Sequence, residues 1–213
     1  MKYFLYIGIV LFCLSCKTEE ISPEAVWQGK EYYPISKASE WEYEVFEIKY
    51  KTLEIDTLEY KVKEILGESY DKDGSIEYNL YRYKSIEGSA YVLDSLWAVR
   101  VFNDKIIRIE NNIWKQVLSF PISGSVEWDK NAHATSNWDK TYYTHLGEDY
   151  QEYTNTVRVA HDISRNVIDQ DERYSIYAPN IGLVYQYCNV TSQQPNQPKV
   201  GSFVTQKLIR YEK

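Results

Sequence analysis

Large apolar and polar residues alternate along much of the chain after residue 31. Trp41, Tyr43 and Val45 are separated by glutamates, and the segment 58–62 reads Leu-Glu-Tyr-Lys-Val. A period of two is typical of a β-strand with one buried and one wet face, as in an antiparallel sheet. We therefore predict that Trp41, Tyr43 and Val45 point into a core.

The apolar phase then moves by one position within the same segment. After Val45, the apolar residues are Phe46, Ile48 and Tyr50. An extra residue in one strand is what a β-bulge inserts, and bulges bend strands. The pattern predicts a bulge at this point and, with it, a curved sheet.

Similar segments follow downstream, separated by turn residues such as Asn111-Asn112 and Asn180-Ile181-Gly182. We interpret Asp71-Lys72-Asp73-Gly74 as a type I turn within a loop at 67–75. The further predicted strands are 76–83, 91–102, 105–109, 113–120, 156–163, 173–177, 183–188 and 202–211. About ten strands with at most one short helix predict an all-β domain at 32–213, a single curved antiparallel sheet forming an open or closed barrel.

The first sixteen residues differ in character. Lys2 precedes an apolar run at 3–14, and small Ser15 precedes Cys16. This order is typical of a secretory signal, and the run is too short to cross about 30 Å of hydrocarbon as a helix. It resembles the bacterial lipoprotein signal, which implies a signal peptide at 1–15, cleavage before Cys16 and lipid attachment to its thiol. Several acyl chains hold a protein durably on its membrane. A plain secretory signal is the alternative.

The residues after Cys16 resemble the surface-export tag of Bacteroidota lipoproteins, a lysine followed by acidic residues. Here Lys17, Glu19 and Glu20 provide them. The resemblance implies an outer-membrane protein that faces outward, with a periplasm-facing position as the alternative. Residues 16–31 would be the lipidated N-terminus and spacer, which keeps the domain close to the membrane.

Motifs spread over the rest of the chain resemble an uncharacterised family of Bacteroidota outer-membrane lipoproteins of about 200 residues. The motifs are Tyr33-Pro34-Ile35 with Trp41 and Tyr43, Asn111-Asn112 with Phe120-Pro121 and Trp128, and Tyr177-Ala178 with Gly182-Leu183-Val184-Tyr185. The resemblance implies a lipoprotein signal peptide followed by an all-β domain. It implies no activity.

Charge and cysteine content narrow the set of partners. The formal net charge of −7 disfavours nucleic acid and anionic lipid surfaces. Once Cys13 leaves with the signal and Cys16 carries lipid, Cys188 is alone and cannot form an internal disulfide. We predict that Cys188 packs as a small apolar side chain.

Aromatic residues concentrate in the segment 128–153, which we predict to be loop-rich and exposed. Trp128 and Trp138 each begin a Trp-Asp-Lys triplet, and Tyr142 and Tyr143 follow. Flat rings beside polar side chains suit carbohydrate, because a ring covers the apolar face of a sugar while polar groups bond its hydroxyls. These four residues are the candidate ligand-binding site, for a glycan or protein ligand. Alternatively, the triplets are the arms of one hairpin and both tryptophans cap the core.

No pattern indicates a metal site or a cofactor. His133, His145 and His161 lack ligand spacing, and Asp71 to Ser75 lacks the glycine position and closing glutamate of a calcium loop. No nucleophile motif or phosphate loop occurs. The candidate carboxylates for a glycosidase pair are Glu148, Asp149 and Glu152, or Asp169, Asp171 and Glu172.

We therefore predict a membrane-anchored envelope lipoprotein without catalytic activity that serves as a binding or accessory module. Two alternatives stay open. A half-barrel with an empty apolar lining would carry a lipid or other apolar ligand. A cleft with two carboxylates of perturbed pKa would indicate a surface glycosidase or other hydrolase.

Overall fold

The computed structural model describes residues 29–134 and 137–213. The predicted signal peptide, lipidated Cys16 and export tag at Lys17, Glu19 and Glu20 lie outside the described residues. Within the described part of the chain, no helix has the length and hydrophobicity needed to span a bilayer.

Strands make up most of the described chain, together with a 3-10 helix at Lys30–Tyr32. They are β1 (Glu40–Tyr50), β2 (Ile55–Lys72), β3 (Ser75–Ile86), β4 (Val92–Val101), β5 (Lys105–Glu110), β6 (Ile113–Ser119), β7 (Glu127–Asp129), β8 (Lys140–Tyr150), β9 (Tyr153–His161), β10 (Ser164–Arg165), β11 (Asp169–Ala178), β12 (Gly182–Ser192) and β13 (Val200–Glu212).

All of these strands belong to one antiparallel sheet that is nearly closed into a barrel. The order is β6-β5-β4-β3-β2-β1-β13-β12-β11-β9-β8-β7, with β10 attached to β11. Chain neighbours are therefore mostly sheet neighbours, and the first and last long strands pair with each other. The prediction of an all-β fold with a single curved antiparallel sheet is confirmed.

The gap between β6 and the β7–β8 hairpin, here called the seam, is bridged by hydrogen bonds. The Tyr143 hydroxyl donates to the carbonyl of Ser119 (2.6 Å) and accepts from its amide (2.9 Å). The amide of Gln116 donates to the carbonyl of Lys130 (2.9 Å), and the indole of Trp128 donates to the carbonyl of Gln116 (3.0 Å). Two side chains and one main-chain hydrogen bond thus complete the closure that a strand ladder would otherwise provide.

Strand β1 points Trp41, Tyr43 and Val45 into the core, as predicted. The predicted bulge after Val45 is wrong, because β1 pairs with β2 in unbroken register. The register shift lies instead between Glu42 and Tyr43, against β13. Phe46 lies on the outer face, and Glu47 accepts a hydrogen bond from the Tyr60 hydroxyl (3.3 Å). The large apolar residues move from the inward-facing to the outward-facing positions at Phe46 because the outer face carries a ring there. No residue is inserted into the strand.

The predicted loop at 67–75 is also wrong, since β2 continues through Gly67 to Lys72. The turn is confined to Asp73 and Gly74, whose φ angles are 49° and 75°. Two central residues with positive φ are typical of a type I′ hairpin turn rather than type I. Glycine at 67 permits close packing, because a Cβ there would lie 2.5 Å from the Tyr81 ring.

The segment that we predicted to be loop-rich contains β7 and the eleven-residue strand β8. Thr141 and Tyr143 are buried, whereas residues 145–149 are exposed. The register against β9 also shifts between Thr144 and Glu148. Because the buried face is short and the pairing is irregular, alternation is not sustained along this strand.

The apolar core fills the half of the barrel that the N-terminal segment covers, which we call the closed end. The Tyr32 hydroxyl donates to the carbonyl of Asn155 (2.7 Å), and the carbonyl of Glu31 accepts from the Asn180 amide (2.6 Å). The Trp41 indole donates to the carbonyl of Ile181 (2.6 Å). The other end, where β1 ends and β2 begins, is called the open end, and it exposes apolar residues such as Ile55, Ile163 and Val167.

Candidate functional site

Charged side chains enter the lumen from strands that are far apart in sequence. Arg108 on β5 donates to Glu64 on β2 (2.9 Å), and both side chains are largely buried. Lys115 on β6 bonds Glu110 (2.6 Å), which also lies 3.1 Å from Nε of Arg108. Buried charges persist in a protein when they are paired, and these four groups form one ion-paired network in which Nε of Arg108 makes no hydrogen bond.

A second group of polar side chains surrounds His161 near the open end. Nδ1 of His161 lies 3.0 Å from Asp139, and Nε2 lies 3.3 Å from the Lys130 ammonium. Arg173 donates two hydrogen bonds to Asp139 (2.8 and 3.3 Å) and is also held by Asp171 (2.6 Å). An ammonium and a carboxylate fix the neutral tautomer: Nδ1–H donates to Asp139, and Nε2 accepts from Lys130.

These surroundings shift the pKa values of the groups that line the open end. Burial acts to raise the pKa of Asp139, but His161 and Arg173 outweigh it and lower that pKa to about 2. Burial, reinforced by Lys115, lowers the pKa of Lys130 to about 8. Burial likewise lowers the pKa of His161, although Asp139 partly opposes the shift.

The lumen is filled by side chains. A cavity of about 50 Å³ adjoins Lys130 and His161, and another of about 20 Å³ lies between Tyr33 and Trp41. Ligand pockets usually measure about 300–1,000 Å³, so neither cavity admits a lipid. The carrier hypothesis requires an empty apolar lining, and the described lumen does not provide one.

The four aromatic residues predicted to bind ligand do not share a surface. Trp128 and Tyr143 are core residues that are 7% and 3% exposed, with ring centroids 4.8 Å apart. Trp138 is 70% exposed, and Tyr142 lies partly buried on the outer face of β8. The two Trp-Asp-Lys triplets are the arms of one hairpin, in which the main-chain amide of Lys130 donates to the main-chain carbonyl of Asp139 (3.0 Å). Only Trp128 caps the core.

The other candidate groups are also dispersed. Asp149 accepts from the Asn155 amide (3.0 Å) in the β8–β9 turn at the closed end, whereas Asp171 binds Arg173 at the open end. Cys188 is partly buried, and burial raises the pKa of its thiol. Within residues 29–134 and 137–213, no cluster of three His, Cys, Asp or Glu side chains has the geometry to hold a metal ion.

The outer face of the barrel carries a continuous row of partly buried rings, which we call the aromatic wall. Neighbouring centroids lie 5.0–6.1 Å apart, and Tyr174 and Tyr187 are stacked at 5.0 Å with an interplanar angle of 14°. Strand pairing aligns Tyr174 with Tyr187 and places Phe46 beyond Thr205 in the same row. The wall consists of Phe46, Tyr150, Tyr174, Tyr185, Tyr187 and Phe203.

An open groove of about 520 Å³ adjoins the wall, and Phe46 and Tyr185 belong to both. We call it the outer groove. Exposed charged side chains of both signs line it: Glu44, Glu59, Lys61, Glu87 and Lys207. Lys61 approaches Glu42 only at 3.8 Å. The other four make no hydrogen bond or ion pair with another described residue, so their polar groups are available to a ligand.

Sequence reasoning missed the aromatic wall although a signal was present. Tyr185 and Tyr187 flank Gln186, so a strand places both rings on one face and the amide on the other. In the barrel, both tyrosines face outward and Gln186 faces the lumen.

Comparison with known proteins gave no match to a protein-family model and none to a curated protein. Among solved structures, a Bacteroides fragilis protein provisionally described as exported, with a YmcC-like fold, aligns with a TM-score of 0.46 at 10% identity over 84% of this chain and 98% of that one. A Parabacteroides distasonis protein provisionally described as a lipoprotein aligns with a TM-score of 0.45 at 9% identity over 85% and 98%. Because both TM-scores are below 0.5, neither similarity carries an argument about this chain.

Proposed function

We propose that this protein is a lipid-anchored lipoprotein of the outer membrane, facing outward, that binds carbohydrate on its aromatic wall and outer groove. The observation that carries the binding proposal is the juxtaposition of partly buried rings with a groove in which Glu44, Glu59, Glu87 and Lys207 make no hydrogen bond or ion pair with a described residue. The anchor rests on the sequence from Lys2 to Cys16, and the outward orientation rests on Lys17 to Glu20.

The chemistry of the groove favours a neutral polyhydroxylated ligand. Glu44, Glu59 and Glu87 offer acceptors, and Lys61 and Lys207 offer donors. This near balance of opposite charges gives a polyanion or polycation no strong preference. Sugar hydroxyls donate and accept at once, so they can satisfy both kinds of group.

The aromatic wall supplies the apolar part of such a site. Tyr174 and Tyr187 are stacked, so each ring covers one face of the other, and the Arg158 guanidinium lies 4.4 Å from the Tyr174 ring centroid. The apolar edges of this stack are the surface that it offers to a sugar ring. The groove volume of about 520 Å³ lies within the usual range for ligand sites. A row of rings beside a groove fits a short oligosaccharide that lies along the barrel.

Binding without hydrolysis is the better-supported activity. A glycosidase needs a carboxylic acid whose pKa is raised so that it can donate a proton. Among described carboxyl groups with clearly shifted pKa values, Glu40, Glu77, Glu110 and Asp139, the shift is downward in every case because cationic partners outweigh burial. This pattern supports a binding module over the hydrolase alternative.

A glycan array probed with the lipidated protein in detergent tests the binding proposal. Tyr174→Ala and Tyr187→Ala should each weaken binding to the best array ligand by about five- to twelvefold, since one ring contact contributes about 1–1.5 kcal/mol. Trp138→Ala is the matched control, an exposed ring outside the wall, and should bind like the wild type. Loss of binding in the control but not in the wall variants would contradict the proposal.

Anchoring and orientation need a separate experiment on intact cells. Protease should cleave the wild-type domain before lysis, and Cys16→Ala should release the protein from the membrane fraction. Protection until lysis would contradict outward display while leaving the anchor in place. Retention of Cys16→Ala in the membrane would contradict the lipid anchor.

A further inference from the structure

The small cavity at the open end is lined by paired groups, among them Glu110 and His161, and by polar side chains that make no hydrogen bond to a described residue. It adjoins the side chains of Ser175, Tyr177 and Gln186. None of these three side chains makes a hydrogen bond to another described residue. Ser175 and Gln186 are directly opposite each other on β11 and β12, so both side chains face the lumen beside the cavity. Polar groups that face a cavity without a protein partner are open to a bound species.

The charge beside this cavity is also incompletely matched. The Lys130 ammonium contacts Nε2 of His161 at 3.3 Å and forms no ion pair with a described carboxylate. The nearby carboxylates are engaged elsewhere, Glu110 by Lys115 and Asp139 by Arg173. A cation removed from bulk water without a counter-charge is costly, and a bound anion relieves that cost.

We propose that this cavity binds a small monovalent anion, with Lys130 as its counter-charge and Ser175, Tyr177 and Gln186 as hydrogen-bond donors. All four groups can donate, as an anion requires. The cavity of about 50 Å³ limits the ligand to a few non-hydrogen atoms, such as a halide or formate. Sulfate and phosphate are larger and carry more charge than Lys130 balances.

The ionisation of Lys130 agrees with this assignment. Burial and Lys115 lower the pKa of Lys130 to about 8, while Glu110 and Asp139 act to raise it and Arg173 acts to lower it. The amine is therefore mostly protonated at pH 7 and loses its charge as the pH rises through about 8. Anion affinity should fall over the same interval.

Thermal unfolding of the full lipidated chain in detergent at pH 7 tests the proposal. Sodium formate and sodium bromide should raise the midpoint temperature in a saturable way, and Lys130→Met should lose that response. Lys37→Met, at an exposed lysine paired with Glu68, is the matched control and should keep it. Gln186→Leu should weaken the rise in midpoint temperature that formate and bromide produce. This variant is the test if Lys130→Met does not fold.

Crystals grown with sodium bromide give a direct answer. An anomalous peak beside Nζ of Lys130 is expected. The proposal is overturned if the cavity contains only water at high bromide, or if formate, bromide and sulfate stabilise the wild type and Gln186→Leu equally.

Discussion

Replacing Tyr143 with phenylalanine should destabilise the barrel at its seam while leaving the core packed. The substitution removes only the hydroxyl, which donates to the Ser119 carbonyl at 2.6 Å and accepts from the Ser119 amide at 2.9 Å. The ring, 3% exposed and next to Trp128, stays in place. Two hydrogen bonds at about 1 kcal/mol each give a loss of about 2 kcal/mol, and about 4 kcal/mol if the Ser119 groups find no water.

Urea unfolding followed by tryptophan fluorescence measures this loss. The midpoint should fall without a change in the slope, because the surface exposed on unfolding is unchanged. A loss of about 2 kcal/mol corresponds to about 4–8 °C in midpoint temperature for a domain of this size. Tyr142→Phe is the matched control, because its hydroxyl bonds no other described residue. Equal unfolding free energies for wild type and Tyr143→Phe would refute the claim that this side chain closes the barrel.

Two further pairs of measurements follow from the same structure. Trp128→Ala should cost about 3–5 kcal/mol of unfolding free energy, because Trp128 is in the core. Trp138→Ala, at an exposed ring, should cost less than about 0.5 kcal/mol. Similar urea midpoints for the two variants would contradict this. The pKa of Asp139 is lowered from 3.8 to about 2, so its stabilisation, about 2 kcal/mol, is present above pH 4 and is lost as the pH falls toward 2. Asp139→Asn should flatten that part of the stability–pH curve; an unchanged slope would show that other carboxyl groups determine it.

The fold was predictable where one face of a strand is apolar and the other charged, as at Trp41, Tyr43 and Val45. Prediction failed where the lumen is polar. In β12 the tyrosines at 185 and 187 lie outside and Gln186 lies inside, so hydrophobicity no longer indicates the buried face. In β8 the buried face is short and the register against β9 is broken, so no sustained period exists to be found.

The candidate sites were less predictable than the fold. Arg108 and Glu64 are 44 residues apart, and Arg173 and Asp139 are 34 apart, so their pairing depends on strand order and register. Bulges shift that register by single residues, and a shift of one moves a side chain to the other face. The composition showed many tyrosines, but only the topology brings Tyr174 beside Tyr187.

The most direct test of the central claim is fluorine NMR of the protein labelled with 3-fluorotyrosine, titrated with the carbohydrate that the array selects. Saturable shifts are expected for Tyr174, Tyr185 and Tyr187 on the aromatic wall, whereas the signal of Tyr143 in the core should stay unchanged. Binding that leaves the three wall signals in place and shifts signals elsewhere would contradict it.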